Sequence, residues 1–150
     1  MLRPALIAVA LLSAAAPAAA QTSSGLWNYH YHNGIGQYLT GQWDASTGGA
    51  LNISCLAGGR VAILAQIKGQ APPPNSVLHL AASSRAATLD SRFPTDAKGR
   101  AEVAVSSPAF RQLWASLRAG DTVVLRYADG RTSVQSLAGA AKLLPAKPCG

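Results

Sequence analysis

The chain has 150 residues, a formal net charge of +7 and a hydrophobic fraction of 49%, much of it alanine. This length is typical of one domain and argues against a multidomain assembly. Charged residues make up only 13% of the chain, and the basic ones are scattered rather than clustered. The composition therefore argues against nucleic-acid binding and predicts one modest core under a solvated cationic surface.

The first twenty residues have the three parts of a secretory signal peptide. Arg3 supplies the positive start, residues 5–12 form an apolar run, and small residues precede Gln21. The apolar run is too short to span a bilayer, and no second long run follows. We predict a signal peptide over residues 1–20, a single disulfide-stabilised domain over residues 21–150, and a periplasmic or secreted protein that does not span the membrane.

Cys55 and Cys149 are the only cysteines. An even count in an oxidising compartment favours a disulfide over a catalytic or metal-binding thiol. A bridge between them would close most of the mature domain, and a loop of that size is worth about 4–5 kcal/mol of stability. The alternative is an intermolecular bridge through the tail cysteine.

Alternation of apolar and polar residues predicts a β-hairpin at the start of the mature chain. After a polar leader over residues 21–25, which we expect to fray, residues 26–32 have the period of a strand. Asn33-Gly34 is the dipeptide typical of a two-residue hairpin turn. Residues 36–43 are the predicted return strand, although two glycines weaken it.

Further short strands follow through the middle of the chain, interrupted by a triple proline at residues 72–74 that is typical of a stiff extended loop. They are predicted over residues 51–55, 60–67, 76–81, 87–89 and 100–105.

The hydrophobic period then changes to that of a helix. Ser107-Pro108 is a typical helix start, Phe110 begins an i, i+3, i+4, i+7 apolar face, and Gly120 is placed to end it. Strands over residues 121–127 and 131–135 follow, and Ser136 is the predicted cap of a short final helix through residue 144. The fold class is therefore mainly β, with α+β possible. We expect an antiparallel β-sandwich or curled sheet with one or two short helices near the C-terminus.

The first predicted strand carries the most distinctive side chains. Trp27, Tyr29 and Tyr31 share one face, where they form either part of the core or a surface for a ligand such as a sugar. His30 and His32 share the opposite face and are weak candidates for a Cu²⁺ or Zn²⁺ site, which needs a third ligand. The alternative is that both histidines lie on the wet face of the strand.

No familiar catalytic set is apparent. Asp96, Asp121 and Asp129 lie where turns or element starts use an aspartate, and Glu102 is expected on an outer strand face. His79 alternates with buried leucines and is expected to be exposed, and no Gly-x-Ser-x-Gly motif occurs. We expect no enzyme and no cofactor.

Several features of the second half form a common plan: an apolar strand at 50–55 that ends in cysteine, Gly58-Gly59, a strand to residue 67, the helix at 110–117, Gly120-Asp121 and the terminal Cys149-Gly150. This plan, which covers roughly residues 50–150, resembles small exported bacterial proteins of the invasion-associated-protein-B-like or type VI secretion-associated kind. The resemblance implies a compact periplasmic β-rich domain with a disulfide that acts by binding. The segment at 77–81 departs from it, because it lacks the arginine and acid that members typically carry there.

These observations predict a non-enzymatic periplasmic protein that binds another envelope or secretion component, with an envelope or secreted protein as its partner. One alternative is an inhibitor of a cell-wall hydrolase, similar to lysozyme inhibitors, with residues 72–75 as a preordered plug. Another is a metal- or glycan-binding periplasmic protein.

Overall fold

The computed structural model describes residues 21–24 and 26–150, so the predicted signal peptide lies outside the described residues. Within that part of the chain, ten strands form two antiparallel sheets, accompanied by two short helices. In spatial order, the six-stranded sheet contains β1 (Gln21–Ser24), β2 (Trp27–His32), β3 (Ile35–Gly41), β4 (Gly49–Leu56), β5 (Arg60–Ile67) and β8 (Ala101–Ala104). The four-stranded sheet contains β10 (Thr132–Ser136), β9 (Thr122–Tyr127), β6 (Val77–Ser83) and β7 (Thr88–Pro94). The helices are α1 (Pro108–Ala119) and α2 (Ala140–Leu143). The predicted mainly-β fold is confirmed.

The inner faces of the two sheets enclose a single hydrophobic core. Val61 and Ile63 of β5 are fully buried on one side, and Leu78 and Leu80 of β6 are fully buried on the other. In β6 the buried residues alternate regularly with half-buried ones, which is the period-two pattern of a strand with one buried face, whereas in β5 the intervening Ala62 is buried as well. The core therefore follows directly from the hydrophobic pattern of the central strands.

Helix α1 forms where the change of period predicts it. The Ser107 hydroxyl accepts a hydrogen bond from the Phe110 amide, and Pro108 occupies the first turn, where its missing N–H costs nothing. The helix buries Trp114 edge-on against the Tyr38 ring of β3, with ring centroids 5.2 Å apart. This contact ties α1 to the six-stranded sheet.

Three local predictions were wrong. Residues 21–24 form β1 and pair with β2 rather than fraying, because the outer edge of β2 offers unpaired backbone groups. The strand expected at 87–89 extends to Pro94, and its alternation is hidden because the polar Ser91 lies on the buried face between Asp90 and Arg92. Ser136 closes β10 instead of capping a helix, and α2 is a single turn that starts after Gly139.

Gly41 ends β3 at a place where the six-stranded sheet lies against β10 of the other sheet. Its φ is +80°, and a Cβ there would overlap the Gly49 carbonyl oxygen and lie 2.8 Å from Oε1 of Gln135 in β10. Only glycine fits both the backbone conformation and the space. A residue that weakens a strand by propensity is thus required by the packing of the sandwich.

Replacing Gly41 by alanine is expected to lower the free energy of unfolding by about 2–4 kcal/mol, because left-handed strain and steric overlap add. The matched control is Gly58→Ala, where φ is +72° but nothing lies within 4 Å of the added Cβ. That control should lose only about 1–2 kcal/mol from the backbone conformation. Urea titration of both variants measures the difference, and equal losses would contradict the close approach at Gly41.

Candidate functional site

A disulfide joins the six-stranded sheet to the end of the chain. Cys55 near the end of β4 is bonded to Cys149, with Cα atoms 5.6 Å apart and 94 residues of separation. The predicted intramolecular bridge is confirmed. No free cysteine remains in the described residues, so the alternative of an intermolecular bridge does not apply to this structure.

The tail before Cys149 is also held at its start. The Trp114 indole N–H donates to the Pro145 carbonyl at 2.8 Å, and the Arg118 Nε donates to the Leu144 carbonyl at 2.9 Å. Both donors belong to α1. Residues 145–149 are therefore fixed at one end by hydrogen bonds and at the other end by a covalent bond.

An open groove of about 350 Å³ lies between this tail and the β2–β3 hairpin. We call it the tyrosine groove, defined by the disulfide and by six of the side chains that line it. These are Tyr29, Tyr31, Tyr38, Val105, Lys147 and Pro148. The groove therefore combines rings from the sheet with a cation and a proline from the tail, and it is the candidate functional site.

The tyrosine rings hold each other in place. The centroids of Tyr29 and Tyr38 are 4.9 Å apart, and Tyr38 in turn packs against Trp114 of the core. A Cβ on Gly36 would lie 3.0 Å from the Tyr29 hydroxyl, so the glycine leaves room for that ring. Burial, together with the neighbouring Tyr29, raises the pKa of Tyr38 above its ordinary value, so its hydroxyl stays protonated.

The aromatic stripe of β2 divides between core and surface. Trp27 is 0% exposed and belongs to the core, so a ligand cannot reach it. Tyr29 is partly buried against the core, whereas Tyr31 is 50% exposed. The core alternative thus holds for Trp27, and only Tyr29 and Tyr31 stay candidates for a ligand surface.

The histidines lie away from the groove. His30 and His32 are on the opposite face of β2, where His30 is paired with Gln37. Among the described residues, no three His, Cys, Asp or Glu side chains come close enough to share a metal ion. His79 lies on the outer face of the four-stranded sheet with its Nδ1 3.7 Å from Oδ1 of Asp90.

The proline loop at residues 72–75 is rigid but projects little. The Pro73 carbonyl accepts hydrogen bonds from the hydroxyls of Ser76, at 2.6 Å, and Thr95, at 3.1 Å. Pro72 is buried, which leaves Pro74 and Asn75 as the exposed tip.

Sequence reasoning missed the contribution of the tail and of Val105 to the site. The available signal was the Lys147-Pro148-Cys149 order, since any partner of Cys149 must also lie next to Lys147 and Pro148. Val105 carried no such signal, because its place depends on the path of the chain from β8 to α1. Its amide donates to the Gly59 carbonyl at 2.8 Å, which holds it at the groove.

This architecture defines a small antiparallel β-sandwich with a disulfide-tethered tail and an open aromatic groove. The YfjT family model matches residues 25–144, and the chain belongs to this family. No curated protein matches the sequence significantly. Invasion associated protein B from Bartonella henselae has a similar fold, with a TM-score of 0.50 and 14% identity, over 82% of this chain and 92% of that chain. The resemblance inferred from the sequence is confirmed at the level of the fold. In the described residues, neither helix has the length and apolar character needed to cross a bilayer.

Removing the disulfide is expected to lower the free energy of unfolding by about 4–5 kcal/mol, because a loop of 94 residues then regains its freedom in the unfolded chain. The test compares the urea midpoint of the oxidised protein with that of the Cys55→Ala/Cys149→Ala variant. Reduced wild-type protein serves as the control and should unfold at the midpoint of the variant. Identical midpoints for oxidised and reduced protein would contradict the role assigned to the bridge.

Proposed function

We propose that this protein is an exported, non-enzymatic binding protein that holds another envelope or secreted protein in its tyrosine groove. The observation that carries the proposal is the pair of tyrosines, Tyr29 and Tyr31. Both lie on one face of β2, next to the disulfide. A binding surface that is already fixed by a sheet and a disulfide loses little conformational entropy when a partner docks.

The chemistry of the groove favours a protein partner. Tyrosine is enriched among the residues that dominate binding energy at protein interfaces, since it offers a large rigid area and one polar end. Tyr31 has half of its surface free, and Lys147 supplies a nearby cation. A partner segment with an apolar or aromatic side chain beside an acidic one is complementary to this arrangement.

Two observations support export. Disulfides persist mainly in oxidising compartments, and the Cys55–Cys149 bond closes most of the domain. The first twenty residues have the charge and apolar pattern of a signal peptide.

Two of the carboxylates are unsuited to general-acid catalysis, because both stay ionised. Backbone hydrogen bonds from Arg100 and Lys98 hold the pKa of Asp96 below its ordinary value. The side chain of Arg131 does the same for Asp129. Carboxyl groups that stay ionised and are tied into their own turns do not act as general acids at neutral pH.

A photocrosslinking amino acid at position 31 tests the proposed interface in the cells that make this protein. We expect a defined adduct with one envelope or secreted protein, and its yield should fall at least ~10-fold with Tyr29→Ala, as is typical of a buried aromatic anchor. The matched control places the same crosslinker at Trp43, an aromatic residue that is 37% exposed outside the groove. That position should not give the adduct.

Four results would contradict the proposal. The first is no adduct at position 31, and the second is the same adducts at positions 31 and 43. The third is recovery of the protein in the cytoplasm with both thiols reactive, which would contradict export. Formation of a cell-wall glycan adduct instead of a protein adduct would contradict the proposed partner class and indicate a glycan in its place.

A further inference from the structure

Strand β10 is a free edge of the four-stranded sheet, and its hydrogen-bonding pattern can be read from the hairpin before it. Among the described residues it pairs only with β9. The Tyr127 amide donates to the Arg131 carbonyl at 2.9 Å where the hairpin closes. Hydrogen-bonded pairs alternate along an antiparallel ladder, so Ser133 and Gln135 direct their backbone groups toward β9.

The alternate residues Thr132, Val134 and Ser136 therefore direct both N–H and C=O away from the sheet. This leaves a row of three donors and three acceptors that have no strand partner in the described part of the chain. Val134 lies at the centre of the row and is 62% exposed, a high value for a large aliphatic side chain. A row of this kind is a template for an additional strand.

Other edges are protected by devices that β10 lacks. β7 carries charges at Asp90 and Arg92, ends at Pro94 and packs against α1. β8 has only four residues. In a chain with a net charge of +7, β10 has five residues and no charge or proline. Natural proteins usually block an edge of this kind, so an unblocked edge points to a partner.

We propose that β10 pairs antiparallel with β10 of a second copy of this chain, about a two-fold axis at Val134. The axis places Val134 opposite Val134 of the second copy and Thr132 opposite Ser136 of the second copy. All three residues of each strand then exchange backbone hydrogen bonds, which gives six bonds and one continuous eight-stranded sheet. A two-fold axis brings the same strand of both copies together and opposes identical residues at its centre, so the absence of charge on β10 avoids the like-charge repulsion that this symmetry would otherwise create.

The inner face of β10 already packs against the six-stranded sheet. Its outer edge is therefore the part of the strand that is available to a second copy. A Cβ on Gly49 would lie 2.8 Å from the Ser133 hydroxyl, so the strand rests directly on the six-stranded sheet. One short edge buries less than a stable interface of 1,200–2,000 Å², so we expect a dissociation constant of about 10–500 µM. The dimer is therefore a concentration-dependent one.

The dimer leaves the tyrosine groove open. In β3 and β4, Gly36 pairs with Cys55 at the groove end, whereas Gly41 pairs with Ala50 at the end that touches β10. The two surfaces thus lie at opposite ends of these strands. A dimer presents two grooves, and a partner with repeated binding segments gains affinity from engaging both.

Sedimentation equilibrium of the purified oxidised protein, from about 5 µM to 1 mM, tests the pairing by bracketing the expected dissociation constant. The average mass should rise from that of a monomer toward that of a dimer. Val134→Lys and Val134→Glu should each raise the dissociation constant at least ~10-fold, since the axis opposes like charges. An equal mixture of the two variants should associate again, because opposite charges then meet across the axis.

The matched control is Val124→Lys. Val124 is the cross-strand neighbour of Val134 on β9, so the change adds the same charge to the same face without touching the edge. It should leave the dissociation constant within about two-fold, because surface charges beyond the Debye length are largely screened at physiological salt. A wild-type protein that stays monomeric at 1 mM overturns the pairing. So does a mixture of the Val134 variants that stays monomeric, or a Val124→Lys variant that loses association as much as Val134→Lys.

Discussion

The covalent bond between Cys55 and Cys149 is the constraint on which the rest of the molecule depends. Many positions in the core are alanines, which bury little area and so contribute little hydrophobic stabilisation. They include Ala50, Ala62, Ala65, Ala82, Ala101 and Ala140. The bond compensates by restricting the unfolded chain, and it also brings the tail onto the sheet to form one wall of the tyrosine groove. Stability and site therefore share one cause.

Local features of the fold were predictable because their causes are local. The Asn33-Gly34 turn has both residues at positive φ, as its sequence indicates, and α1 starts at the predicted cap. The pairing of Cys55 with Cys149 follows from a count of two in a chain with the sequence pattern of an exported protein. Each of these rests on residues that determine the structure without help from the rest of the chain.

What the sequence could not predict depends on contacts between distant segments. The chain leaves the six-stranded sheet after β5, forms β6 and β7 in the other sheet, and returns as β8. No local pattern records that exchange. The aromatic stripe shows the same limit, since the burial of Trp27 and the exposure of Tyr31 depend on where the helices and the tail lie. The sequence therefore predicted that the tyrosines share one face of β2, but it did not predict the groove that this face forms with the tail.

The two glycines of β3 show how the packing overrides local propensity. Gly36 leaves room for the ring of Tyr29, and Gly41 leaves room for the side chain of Gln135. By propensity both weaken the strand, yet each stands where the strand meets one of the two surfaces described above. Strand β3 therefore has a low intrinsic strand propensity, yet it contacts both the tyrosine groove and β10.

The groove also separates residues that set its shape from residues that are exposed to solvent. Tyr29 and Tyr38 are joined to the core through the ring of Trp114, so changing them alters the packing as well as the surface. Tyr31 and Lys147 are exposed, and substitution of exposed side chains usually changes stability by less than about 0.5 kcal/mol. Substitutions at these exposed positions can therefore change the surface of the groove while the sandwich stays intact. A fold shared with invasion associated protein B at only 14% identity agrees with this tolerance of substitution.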